Sequence, residues 1–455
     1  MELNAIIANE IDSIITLLEE GHFLTAREQI IQMEAVDIGL LLDKIPRERM
    51  LRVFRMLPKN LAADVFAYME SDQQQYIIES ITDNEINHIM DEMFMDDTVD
   101  FLEEMPANVV KRVLKVTDKE TRRIINQMLQ YPEGSAGSIM TTEFVDLKKE
   151  MTVRDAIRHI RATGVDSATM DTCYVIDNGR RLEGDISLRK LILSPSDSKI
   201  EDLMDADVKY LKTSDDQESS AFHFKKYDLL TMPVVDAEKR LVGIITIDDI
   251  VDVIEQEATE DIELMAAMTP SDKPYTKTSA FETFKQRAPW LLILMISSTF
   301  TSGLLSSYEA ALGALVAFTP MFMGTGGNAG GQASVAVIRS LALNEIKLGD
   351  WFQIMWKELR TSVLCGLAVA VVCFIKTMLI DAQFSSEITY LTAFVISLTI
   401  FLTIVLAELV GGLMPLLAKK IGFDPAVMAS PIITTIVDAL SLVIYFYVVK
   451  MFIPV

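Results

Sequence analysis

The stretch 425-PAVMASPIITTIVDALSLVIYFYVV-449 holds a single charged residue, Asp438, in 25 positions. At 1.5 Å per residue a helix of that length crosses a hydrocarbon core of about 30 Å. An ionised aspartate near the middle of a bilayer costs at least ~2.5 kcal/mol, so it must face a partner, a pore or a bound cation. On a helix Thr434 and Thr435 lie three and four residues before Asp438 and share its face. That face offers hydroxyls and a carboxylate, hard oxygen donors suited to Mg2+ rather than to soft metals.

Four further apolar stretches precede this one: Ala288–Tyr308, Ala310–Ile338, Thr361–Ile380 and Ile388–Leu417, the last containing Glu408. Each is long enough to span a bilayer, giving five expected transmembrane helices within a pore domain over residues 285–455. With the N-terminal portion placed in the cytoplasm, Lys285, Arg287, Arg339, Lys347, Lys357, Arg360, Lys419 and Lys420 all fall inside, and Lys376 and Lys450 outside. The positive-inside rule therefore predicts a multi-pass protein of the plasma (inner) membrane, N-terminus cytoplasmic and C-terminus extracytoplasmic, in contact with membrane lipid. The second stretch carries FTPMFMGTGGNAGGQAS, with Gly326 and Gly327 beside Asn328. Glycine at this density predicts an unwound turn whose bared carbonyls line an ion path.

Charge divides the chain. Residues 1–282 carry 56 acids and 31 bases, net −25; residues 283–455 carry 9 and 10, net +1, which together make the −24 of the whole. An acidic soluble portion excludes nucleic acid as a partner and favours cations. Three cysteines, Cys173, Cys365 and Cys373, form no zinc spacing. No Walker A, kinase, HExxH or GxSxG pattern is present, and His22, His88, His159 and His223 are scattered, so the protein is not expected to be an enzyme.

The soluble portion is read as an all-α solenoid followed by an α/β pair. Residues 1–132 repeat helical units about two dozen residues long, each closing on a turn. Residues 133–200 and 201–254 are two copies of one pattern: Met140 matches Met204, and Asp177–Gly184 repeats the step Asp236–Gly243. The arrangement resembles a tandem pair of CBS domains, which implies an adenine-nucleotide site, ATP among its ligands. That family's Thr/Ser-x-x-Asp is kept as Thr246 and Asp249 in the second copy, whereas Lys190 replaces the carboxylate in the first. Residues 255–284 form an acidic connecting segment; from Asp248 to Glu263 there are eight acids and no base. Like-charge i,i+4 pairs such as Glu257/Asp261 weaken a helix unless cations neutralise them.

The order helical domain, CBS pair, acidic helix, membrane domain, with YPEGSAGSIMTTE, EATEDI, GTGGNAGGQ and FDPAVMASPIITTIVD, resembles the MgtE-type magnesium channels and transporters over essentially the whole chain. The resemblance implies a homodimer with Asp438, Thr434, Thr435 and the backbone at Gly326, Gly327 and Asn328 along the pore. It implies regulatory Mg2+ at Asp96, Asp97, Asp100, Asp249, Glu257, Glu260 and Asp261, with Asp424 below the pore. Glu408 departs from members that carry a neutral residue there. Bridging of these acids by cytosolic Mg2+ favours a compact, closed arrangement over a splayed, open one, so high internal Mg2+ is expected to shut its own entry. Two other readings stay open: a coupled divalent (Mg2+/Co2+) carrier or exporter, and a membrane-anchored CBS sensor.

Overall fold

The computed structural model describes residues 2–164, 167–271, 275, 278–383, 388–428 and 430–453. The chain forms two compact units, Met1–Ile254 and Glu255–Val455.

Ten helices open the first unit: α1 Glu2–Glu20, α2 Phe23–Ile30, α3 Ala35–Lys44, α4 Arg47–Phe54, α5 Lys59–Ala67, α6 Ser71–Ser80, α7 Asp83–Glu92, α8 Met95–Glu104, α9 Ala107–Val116 and α10 Lys119–Met128. All but the first are ten residues or shorter, because prolines or polar caps start them afresh. Pro46, Pro58 and Pro106 stand immediately before α4, α5 and α9, and Thr82 closes a capping box with Glu85 at α7. Helices this short are marginal alone. Ile38, Leu41, Val65, Phe66, Ile77 and Val99, all fully buried, join them into one continuous core.

The two repeated patterns fold alike. The first is β1 Phe144–Leu147, α11 Val153–Thr163, β2 Thr169–Ile176, β3 Leu182–Ser187 and α12 Leu188–Leu193, followed by α13 Ile200–Leu203. The second is β4 Leu211–Lys212, α14 Gln217–Tyr227, β5 Thr231–Val235, β6 Leu241–Thr246 and α15 Ile247–Met265. Each makes a three-stranded sheet, with the first strand parallel and the third antiparallel to the middle one.

The repeated Asp-to-Gly step has a local cause. Asp177 Oδ1 accepts from the amides of Gly179 and Arg181, and Asp236 Oδ1 from those of Glu238 and Arg240. The turn then passes through Arg180 at φ 64° and Lys239 at φ 62°. The copies also exchange their leading segments. Thr141 pairs with Ile244 of the second sheet and Asp205 with Asp185 of the first, and Met140 lies against Gly243 as Met204 lies against Gly184.

The second unit contains α16 Ala280–Leu312, α17 Thr319–Ala342, α18 Trp351–Leu379, α19 Tyr390–Ile421 and α20 Ser430–Phe452. Among the described residues, four segments are long and apolar enough to cross a membrane: Ala280–Glu309, Leu348–Gln383, Tyr390–Ile421 and Pro425–Phe452. The expected second span differs in two ways. Its first residues belong to the end of α16, and a 3-10 segment, Gly313–Phe318, leads into α17. The helix α17 is then continuous through GTGGNAGG, so the predicted unwound turn is absent and its carbonyls stay within the helix.

The missing Cβ atoms serve helix packing instead. A Cβ at Gly326 would lie 2.7 Å from Thr403 and 2.8 Å from Val437, and one at Gly327 would lie 2.8 Å from Thr434. A Cβ at Gly411 of α19 would collide with the carbonyl of Gly330. Small residues therefore draw α17, α19 and α20 together, as small-xxx-small contacts do in bilayers.

Candidate functional site

Three groups of side chains carry the chemistry. In the membrane-type unit, α20 presents Asp438 half-buried, with no hydrogen-bond or ion-pair partner among the described residues. Thr434 and Thr435 lie on the same face one turn earlier. Their hydroxyls donate to the Pro431 carbonyl at 2.9 and 3.0 Å, which leaves their oxygen lone pairs as acceptors. Thr434 packs on Gly327, so α17 runs directly alongside this face. Asn328 is brought to a different place. It is exposed on the outer face of α17, one turn from exposed Gln332, while Gly326 and Gly327 are buried against α19 and α20.

In the first unit, Asp96 and Asp97 at the start of α8 converge with Asp249 at the start of α15, 152 positions further along the chain. None of the three forms an ion pair among the described residues. Burial, then Asp249, Asp97 and Glu143, hold Asp96 well above the usual carboxylate range. Burial, then Asp249, Asp248, Asp64 and Glu143, push Asp97 up to about 6. Burial also raises Asp249, against the hydrogen bonds from the Thr246 hydroxyl and amide. Asp100 lies one turn further along α8 and is exposed.

Asp64, Glu143 and Asp248 belong to this group and were not singled out as site residues by the sequence. Asp64 and Glu143 stand isolated there, and only the fold delivers them. Glu143 accepts from the Thr141 hydroxyl and, at 3.0 Å, from the Thr142 amide. The donor set is entirely hard oxygen and carries excess negative charge, which fits Mg2+. No three acidic, histidine or cysteine side chains converge as metal ligands among the described residues. An ion at the group therefore needs water in part of its shell, as Mg2+ ordinarily keeps.

Thr246 and Asp249 are joined to each other: the Thr246 amide donates to Asp249 Oδ2 at 3.3 Å and its hydroxyl bonds the same oxygen. A ribose hydroxyl would exchange with that internal bond. In the first copy Ser187 Oγ only accepts from the Lys190 amide at 3.2 Å, capping α12.

The third group lies at the end of α15. Burial, then Asp424, then Glu257, push Asp261 up to about 6. Asp424 is exposed and holds the Ala426 amide at 2.7 Å. Leu264 and Met265 pack on Ile338 and Ala426, which seats this end of α15 on the loop before α20. Glu260, one residue before Asp261, is exposed.

A family model described as a divalent cation transporter, MgtE, matches residues 319–448. The MgtE intracellular N domain matches 33–134, and the CBS domain matches 136–196 and 200–256. The chain is 32% identical to the magnesium transporter MgtE of Thermus thermophilus over 95% of its own length and 96% of that protein. It is 31% identical to the magnesium transporter MgtE of Bacillus subtilis over 97% and 96%. Among solved structures it is similar to the cytosolic domain of the Mg2+ channel MgtE in complex with ATP. That match has 33% identity and a TM-score of 0.51 and covers 53% of this chain and 99% of that one.

Proposed function

Because the chain belongs to the MgtE family of divalent cation transporters, we propose that it moves Mg2+ across a membrane, through a path formed by α17 and α20 of two copies. The observation that carries this reading is Asp438, a carboxylate without a partner among the described residues, in the middle of an apolar helix. Such a group is tolerated where water or a cation reaches it. Mg2+ gives up its waters reluctantly, so a hydrated ion is held by the carboxylates and by the free lone pairs of Thr434 and Thr435.

The exposed amides Asn328 and Gln332 on the outer face of α17 support a second copy, since in one copy they meet neither protein nor apolar lipid favourably. The helix α17 is counted as the fifth span, although it is not among the four segments apolar enough by length and composition. The arginines and lysines at the helix ends support a cytoplasmic N-terminus and an extracytoplasmic C-terminus in the plasma membrane.

Regulation follows from electrostatics. Carboxylates forced together at Asp96, Asp97 and Asp249 repel, as do Glu257, Asp261 and Asp424. Mg2+ at either group favours the compact arrangement by its differential affinity, and Asp100 and Glu260 add charge at the edges. ATP is assigned to Thr246 and Asp249, a reading supported by the similar ATP-bound structure. The test is recording from purified protein in a bilayer with Mg2+ as the only permeant cation. Wild type gives unitary currents and Asp438→Asn gives none while remaining folded; normal currents from Asp438→Asn refute the assignment.

A further inference from the structure

Two carboxylates lie between α18 and α19, away from the groups described above. Glu358 of α18 is 8% exposed and Glu408 of α19 is 6% exposed. The Glu358 carboxylate acts on the charge of Glu408. Glu408 Oε2 is buried without a hydrogen-bond partner among the described residues. The Cys365 thiol of α18 faces the Glu408 carboxyl. Glu358 forms no hydrogen bond or ion pair among the described residues.

The seating of the pair is specific. On α18, Glu358, Ser362 and Cys365 follow one stripe by i, i+4 and i+7 spacing. On α19 the residue one turn past Glu408 is Gly412, where a Cβ would lie 3.1 Å from Glu358 Cγ, so the glycine makes room for the acid. Glu408 lies nine residues before Leu417, the end of the apolar stretch, or about 14 Å deep along the helix.

The charges around the pair do not balance it. From α18, Lys357 acts on Glu358 and the Cys365 thiol on Glu408; no titratable group of α17 or α20 acts on either carboxyl among the described residues. Two carboxylates in one apolar site cannot both ionise. A metal ion would need more oxygens than this pair offers, and no third ligand group converges there among the described residues. A proton needs none.

We propose that Glu358 and Glu408 form a proton-binding site that holds one proton in the seated arrangement of α18 and α19, and that releases it only when these helices part or admit water. The consequence for transport, which rests on the function proposed above, runs through α19. The same helix carries Thr403, Ala407 and Gly411 against Gly326 and Gly330 of α17. Reseating α19 therefore moves the helix that lines the path, and proton release biases that two-state element.

The test separates the site from the function. Infrared pH-difference spectra of the full-length protein in phosphatidylcholine–phosphatidylglycerol vesicles read the carboxylic-acid C=O band directly, whether or not ions flow. At pH 7 we expect a band in wild type that is lost in Glu408→Gln, and lost or displaced in Glu358→Gln, which approaches the site from the other helix should the first variant fold poorly. Mg2+ flux into the same vesicles, compared between inner pH 6 and pH 8, should differ in ratio by at least about twofold between wild type and Glu408→Gln. The regulatory acids titrate in both proteins and cancel. An acid band identical in wild type and both variants overturns the site. A band that disappears on adding Mg2+ alone overturns the proton in favour of a cation. A lost band with an unchanged flux ratio overturns the coupling. Absent Mg2+ flux in wild type at every pH refutes the transport reading and leaves the infrared result standing.

Discussion

Replacing Asp97 by asparagine should strengthen the cytosolic unit in the absence of Mg2+. Burial and four neighbouring acids raise its carboxyl from an ordinary 3.8 to about 6. A folded group that holds its proton more tightly than the unfolded one gives stability that falls as pH rises between the two values. At 1.36 kcal/mol per pH unit, the rise is equivalent to about 3 kcal/mol lost between pH 4 and pH 7. Water still reaches one side of Asp97, so about 1.5–3 kcal/mol is the expected range, or roughly 10- to 150-fold in local opening.

Hydrogen exchange of α8 and the first turns of α15, corrected for intrinsic chemistry, reads that opening. In metal-free wild type, protection should fall by at least this factor from pH 4 to pH 7, because Asp96, Asp100 and Asp249 are raised as well. In Asp97→Asn the fall should shrink by the Asp97 share, and in wild type saturating Mg2+ should restore protection at pH 7. A fall of the same size in Asp97→Asn would refute the argument that repulsion centred on this carboxylate opposes the compact state.

Three other outcomes are expected. Gly411→Ala places a methyl group on the Gly330 carbonyl and should cost at least 1–3 kcal/mol, seen as a lower melting temperature in detergent, whereas Gly349→Ala, with open space around it, should change nothing. Neutralising Glu257, Glu260 and Asp261 together removes the bridged charges, so current should persist at cytosolic Mg2+ that closes wild type; closure at the same Mg2+ would make the acidic helix a solvated linker. ATP binding, followed by calorimetry, should be lost in Asp249→Ala and kept in Lys190→Ala; equal loss in both would place the nucleotide elsewhere.

Periodicity and composition were enough for the soluble architecture, because local chemistry decides it. Short amphipathic helices restarted by proline read as a solenoid, and the Asp177 and Asp236 turns read as one hairpin used twice. The apolar runs and the lone Asp438 were legible for the same reason: a charge in hydrocarbon is costly wherever its partners are. What the chain could not declare by itself was the use of its glycines. GTGGNAGG can unwind or can pack, and the choice belongs to the neighbours: Thr434 on α20 and Gly411 on α19 fit against α17 so closely that the helix stays intact. The acid sites were half visible. Asp96, Asp97 and Asp249 stand in conspicuous acidic runs, but Asp64 and Glu143 are ordinary surface acids until folding brings distant segments together. Glu358 and Glu408, 50 positions apart, become a pair only because Gly412 leaves the space in which one meets the other. Sequence carries interactions set by spacing along one element; those set by which elements touch exist only in the tertiary structure.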